Sequence, residues 1–389
     1  MTMRIALLTH NWARNFGANL QCLATVRHLE RLGHAVTVLN YRPPRLVEYY
    51  RRIVAPAQEQ MHEDFCNTYL PQSPILPDER AVIAHCNDTR PDLVIVGSDA
   101  ILCLRNEADT EDRRFPNPFW INWVKRLSRR TPASYLSASS MGTNFFSLAP
   151  DTRRGTREAL RLAQIVSVRD RWTRYTIWAA TGGRVFPRWC ADPASILNDV
   201  VTIPPERKRA SQEAGRPYLL FSPAPHQLSP AWVKQFVGMA HDRGLRVVGL
   251  PLAEGSPDVA VDEQIPLPLH PLEWYHWIQR SAGYVGIRFH PVVCAAINEV
   301  PFVSLDGYGR KLFGFRIGLD NKVYDFCMNL GLQRRSLVPE AVDGISPAFT
   351  FETLTAKLPP AHRARIEAMK ASYRGTIDAI LKRAEAGAI

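Results

Sequence analysis

Arg288 and His290 stand two residues apart in Gly286-Ile287-Arg288-Phe289-His290-Pro291 and are the pair best placed for chemistry. The apolar run Tyr284–Ile287 before them reads as a strand, and Pro291 suits the first turn of a helix. A spacing of two sets both side chains on one side of an extended segment. With the helix N-terminus they form a cationic pocket for a phosphorylated or carboxylated ligand. A capping histidine beside a surface arginine is the plain alternative.

Four other segments sit where ligands bind in open α/β sheets, just past the carboxyl ends of strands. In Asn15-Phe16-Gly17-Ala18-Asn19, Gly17 permits close backbone approach and a helix start offers free N–H groups. It has neither the Gly-x-Gly-x-x-Gly spacing nor a Walker lysine. Gly97-Ser98-Asp99 follows the apolar run Leu93–Val96, and the Ser137–Gly142 stretch with Ser139 is small and hydroxyl-rich. Arg169 comes directly after Ile165–Val168, a place that suits anion recognition. Each has a structural alternative: a capping turn, an N-cap, close packing of small residues, or an ion pair of Arg169 with a neighbour. The remaining histidines lack metal-ligand spacing, so no metal is expected.

The elements that must hold these segments alternate in type. Strands are expected at Arg4–Thr9, Val36–Asn40, Leu93–Val96, Ser134–Ser139 and Ile165–Val168, then at Tyr218–Phe221, Leu245–Leu250, Tyr284–Ile287 and Phe302–Leu305. Their nearly continuous apolar character suits parallel sheets covered on both faces. Helices fall between them: one bearing Leu20, Leu23, Val26 and Leu29 and stopping at Gly33, others near Ser229–Arg243 and Pro271–Ser281. The pattern predicts an α/β protein of two Rossmann-like domains, 1–205 and 206–389. The first carries an irregular or helical insertion around 41–80, and the second ends in an amphipathic helical tail from Pro360.

Composition narrows the partners. The chain of 389 residues is 46% hydrophobic and has no apolar run long enough to span a membrane. Its N-terminus reads as a first strand rather than a signal peptide, which predicts a cytoplasmic protein. Seven scattered cysteines without Cys-x-x-Cys form neither a disulfide framework nor a zinc signature. The net charge of +11 is dispersed in small groups with no nucleic-acid motif, and anionic substrates or an anionic membrane surface account for it equally well. Oligomeric state is not legible.

Taken in order, Asn15–Gln21, Val94–Asp99, Ser167–Asp170, Asp192-Pro193, Arg288-Phe289-His290 and Val300-Pro301-Phe302 resemble the polysaccharide pyruvyl transferase family over Thr9 to about Gly331. The resemblance implies a GT-B-like fold, two domains facing each other across a cleft. It implies transfer of the enolpyruvyl carbons of phosphoenolpyruvate onto two sugar hydroxyls, giving a pyruvate ketal in cell-surface polysaccharide assembly. No cofactor is implied; the partners would be that donor and a glycan or lipid-linked sugar, with peripheral association at the inner membrane face. Arg169 and Arg288 would hold the donor's phosphate and carboxylate, and His290 would protonate its methylene carbon. Asn15, Gly17, Asn19, Gly97, Ser98, Asp99, Ser139 and Asp192 would line the substrate, with Asp99 and Asp192 both open as the proton acceptor. Pro291 stands where the family has Gly, and Ala100-Ile101-Leu102 where it has Gln and an aromatic. A nucleotide-sugar glycosyltransferase, with Asp306 or Glu299 on a ribose, and a non-catalytic polyanion binder are the competing readings.

Overall fold

The first strand, β1 (Arg4–Leu8), leads through a buried loop into helix α1 (Phe16–Arg31) and back to β2 (Ala35–Val38). A computed structural model of the protein describes residues 2–105, 109–208, 216–307, 311–312, 315–316, 320–338 and 341–386. Part of the polar stretch between the expected halves, with Arg209, lies outside these residues. So do the last three residues of the tail. The insertion after β2 is helical: α2 (Pro44–Ile53), α3 (Pro56–Tyr69) and α4 (Glu79–Thr89). Its prolines are compatible with helix because Pro44 and Pro56 occupy first turns, where no N–H is needed.

Then follow β3 (Leu93–Val96), β4 (Ala133–Ala138), α5 (Pro150–Leu162), β5 (Val166–Val168), α6 (Arg171–Ala180), β6 (Arg188–Trp189) and the short α7 (Leu197–Val200). Six strands form one sheet in the order β2-β1-β3-β4-β5-β6, every pairing parallel. The second set comprises β7 (Tyr218–Ser222), α8 (Pro230–His241), β8 (Arg246–Gly249), β9 (Glu263–Gln264), α9 (Pro271–Arg280), β10 (Gly283–Gly286), α10 (Phe289–Ile297) and β11 (Phe302–Ser304). These strands make a parallel sheet in the order β11-β10-β7-β8-β9. A two-stranded hairpin, β12 (Lys311–Leu312) with β13 (Phe315–Arg316), precedes α11 (Lys322–Leu330), α12 (Pro347–Thr355) and α13 (His362–Ala386).

Two Rossmann-like domains therefore face each other in the GT-B arrangement. They meet through side chains that also frame the cleft. Phe16 of α1 stacks on Trp274 of α9, centroids 5.2 Å apart. Gln58 exchanges two hydrogen bonds with the Leu269 backbone, at 2.9 and 2.6 Å. Helix α1 is buried on almost every face, which explains why Ala18, Cys22 and Ala24 are apolar as well as the periodic leucines.

The tail crosses back from the second sheet. His362 Nε2 bonds the Ala296 carbonyl at 3.0 Å, while farther along Tyr373 Oη donates to Thr25 Oγ1 at 3.1 Å. Lys370 and Arg374 both reach Asp199. The helix read with the second domain thus packs largely on the first. Among the described residues no helix is long and apolar enough to cross a membrane.

Candidate active site

Five of the singled-out segments converge where the carboxyl ends of the two sheets oppose each other. Asn15 caps α1, its side chain accepting from the Ala18 N–H at 3.1 Å, and lines the cleft. A Cβ on Gly17 would lie 2.0 Å from Cγ of His290, so glycine is needed because the imidazole of the second domain packs on the first turn of α1.

Past β3, Gly97 adopts φ +132, and a Cβ there would meet the Leu136 carbonyl oxygen at 2.0 Å. The turn carries Asp99, itself at φ 78, into the cleft. Ser98 goes elsewhere: its hydroxyl donates to Gln21 Oε1 inside the domain and its carbonyl accepts from Thr9 Oγ1 at 3.1 Å. Asn19 is likewise interior, bonding the Asn11 carbonyl at 2.7 Å and His62 Nδ1 at 2.7 Å. Both were expected to meet substrate. Both instead tie the β1–α1 loop to its surroundings, because a short polar side chain on a buried helix must find internal partners.

Arg169 departs from expectation in a second way. Its guanidinium is 1% exposed and committed on both sides, Nη1 to Asp192 Oδ2 at 2.5 Å and Nη2 to Asp99 Oδ1 at 2.6 Å. It also lies over the Phe289 ring at 4.7 Å. In place of a donor-binding cation it is the clamp that fixes two carboxylates. Asp192, 1% exposed, accepts from the Ala194 N–H at 2.9 Å as well, so it is walled off from any substrate. Asp99 keeps 16% of its side chain exposed. Burial alone would raise its pKa, but Arg169, His290, Lys322 and His10 hold it well below the ordinary carboxylate range.

His290 sits one residue inside α10, with Arg288 at the N-cap in a φ of 82. The helix thus begins earlier than Pro291 suggested, and the pair is joined by a turn rather than by an extended segment. Asp192 Oδ2 lies 3.8 Å from His290 Nε2, near enough to favour the imidazolium but too long for a hydrogen bond. Burial outweighs Asp192 and Asp99, and with Arg169 and Lys322 it lowers the imidazole pKa. Arg288 is 40% exposed and reaches Glu254 loosely, at 3.3 Å.

Lys322 and Trp274 are among the cleft residues that sequence reasoning missed. Lys322, the first residue of α11, lines the cleft with its Nζ 5.6 Å from the Phe289 centroid, and among the described residues no carboxylate pairs with it. Burial, then Arg169, lowers its pKa. The signal was available: Asn321 caps a run bearing Val323, Phe326, Cys327 and Leu330, ended by Gly331. Trp274, stacked on Phe16, forms the opposite wall. A second compartment adjoins, lined by Arg105, Ser139, Asp170, Asp306 and, shared with the first, Arg288 and Lys322. Glu299 lies outside both, paired with Arg363 at 2.7 Å. Among the described residues no group of His, Cys, Asp or Glu is arranged to hold a metal ion.

Residues 15–307 match the family model described as polysaccharide pyruvyl transferase. No curated protein matches the chain. Among solved structures, the UDP-GlcNAc 2-epimerase of Methanocaldococcus jannaschii is 9% identical with a TM-score of 0.55, over 95% of this chain and 99% of that one. The UDP-GlcNAc 2-epimerase of Neisseria meningitidis bound to UDP-GlcNAc is 11% identical with a TM-score of 0.52, over 96% and 99%. The spinosyn forosaminyltransferase SpnP is 12% identical with a TM-score of 0.50, over 96% and 95%. At these identities the likeness is one of fold.

Proposed function

This chain belongs to the polysaccharide pyruvyl transferase family, a family of transferases, and on that premise we propose that it moves the pyruvyl carbons of phosphoenolpyruvate onto two hydroxyls of a glycan or lipid-linked sugar. The observation that carries the reading is the company His290 keeps: a buried imidazole at the same cleft as Arg288, Lys322 and the start of α10. The donor carries a phosphate and a carboxylate on three carbons. Arg288 and Lys322 supply two cations for those groups, and the backbone N–H groups opening α10 supply further donors. Glu254 must give way from Arg288 as the anion arrives.

His290 protonates the methylene carbon, leaving an oxocarbenium-like centre at the carbon bearing phosphate and carboxylate. One sugar hydroxyl adds there, the C–O bond to phosphate breaks, and the second hydroxyl closes the ketal. Of the two hydroxyl protons, one replaces that given up by His290 and the other leaves on phosphate. Asp99, held ionised by its cationic neighbours, orients a hydroxyl as hydrogen-bond acceptor and is a poor final base. The adjoining compartment, with Ser139, Asp170 and Asp306, offers hydroxyl and carboxylate groups suited to a sugar.

The test is phosphate release from phosphoenolpyruvate against a panel of acceptor glycans. Wild type is expected to release phosphate with at least one acceptor, and His290→Ala to lose at least about 10²-fold in rate, the usual contribution of a positioned acid. Full activity of that variant would remove His290 from the chemistry. Thermal stabilisation by a nucleoside diphosphate but not by phosphoenolpyruvate would instead favour a nucleotide-sugar glycosyltransferase.

A further inference from the structure

Among the described residues ten large apolar side chains are exposed; Tyr175, Trp178 and Phe186 lie on or just past one helix, α6, and Phe146 lies in a segment packed against it. Scattered singly they would need no explanation; gathered on one surface they do. Arg171, Tyr175 and Trp178 recur at the spacing of one helical face and are all exposed. The Tyr175 and Trp178 rings lie 6.4 Å apart, and Arg174 covers Phe186 at 4.6 Å. On the inner side Trp172 Nε1 donates to the Thr143 carbonyl at 3.0 Å, and Arg153 donates to the Phe146 carbonyl at 3.3 Å. These bonds hold the loop bearing Met141 and Phe146 against α6 and the start of α5.

The surroundings are strongly basic. Residues 151–188 contain eight arginines besides the buried Arg169, and three carboxylates. Asp151 pairs with Arg154, Glu158 with Lys125, and Asp170 caps α6. Arg153, Arg161, Arg174 and Arg184 have no ion pair among the described residues.

We propose that this surface docks the protein on an anionic phospholipid bilayer, the aromatic rings entering the interface and the arginines meeting lipid phosphates. Tyrosine and tryptophan favour such a boundary because each has an apolar body and a polar edge. Charge selects this occupant over a second copy of the chain, since a two-fold pair through the patch would oppose arginine to arginine. The position adds sense. Asp170, at the start of α6, lines the second compartment of the cleft, so docking sets that compartment beside the lipid surface. Only the presentation of a lipid-linked acceptor there rests on the proposed function; the surface itself does not.

Flotation of the full chain with vesicles tests the inference. Binding is expected to phosphatidylcholine vesicles containing about 30% phosphatidylglycerol, not to phosphatidylcholine alone, and to weaken in high salt. The triple variant Tyr175→Ser, Trp178→Ser, Phe186→Ser and the double variant Arg174→Glu, Arg184→Glu should each bind about tenfold more weakly. Both should keep the wild-type melting temperature. No binding to the anionic vesicles, equal binding to both kinds, or undiminished binding by both variants overturns the proposal. A dimer in sedimentation that the triple variant abolishes would assign the patch to a second copy and also overturn it. Stabilisation by phosphoenolpyruvate, measured alongside, reports on the donor reading independently.

Discussion

Burial disfavours the imidazolium form of His290, lowering its pKa below the ordinary histidine value despite Asp192 nearby. A bound trianion adds negative charge beside the ring and moves that pKa upward. The reaction needs imidazolium, so rate falls as pH rises through this pKa. The falling limb of kcat, which reports the bound complex, should therefore lie at higher pH than that of kcat/KM, which reports the free enzyme. Coincident limbs in a pH–rate series would show that the ligand does not set the protonation of this group. Arg169 teaches the complementary lesson. Its type and its place past a buried strand were legible, but its role was not, since only the fold shows two carboxylates already holding it. Removing the guanidinium would leave its two carboxylates without their shared cation.

At the level of elements, the first turn of α1 and the first turn of α10 are built to touch. Gly17 exists to let His290 approach, and a methyl group there would overlap the ring. Gly17→Ala should therefore cost about 1–3 kcal/mol of stability, the usual penalty of overpacking. Because the ring rather than the backbone must move, turnover should fall more than donor affinity. Equal stability by thermal melt with unchanged kcat would show that the two turns can part freely. The sequence marked Gly17 as a place for close approach without saying what approaches. It also missed α5, α6 and α11. Four arginines obscure the apolar stripe of α5, and β6 and β9 are two residues long, too short for periodicity to register.

For the molecule as a whole, α13 is the strap that binds the two domains. It starts on α10 and ends on the first sheet's helices, with Ile366, Met369, Tyr373, Ile377 and Ile380 buried. Tyr373 is fully buried, so Tyr373→Ala should destabilise by about 3–5 kcal/mol, as deletion of a large core ring does, whereas Tyr373→Phe loses one hydrogen bond, worth about 1 kcal/mol. Thermal unfolding of the two variants decides; equal, small losses would show that the tail is peripheral to stability. By itself the chain's pattern of buried strands, helix starts and glycines determined the α/β class, the two sheets and the segments at their carboxyl ends, because those features are local and repeat with the period of the backbone. Which cations stay available at the cleft was decided only by tertiary structure. Arg169 is neutralised by Asp99 and Asp192, distant in sequence, and Lys322 is brought in from a helix beyond the second sheet. Electrostatic pairing depends on distance in space, and distance in space between far-apart residues is what folding alone supplies.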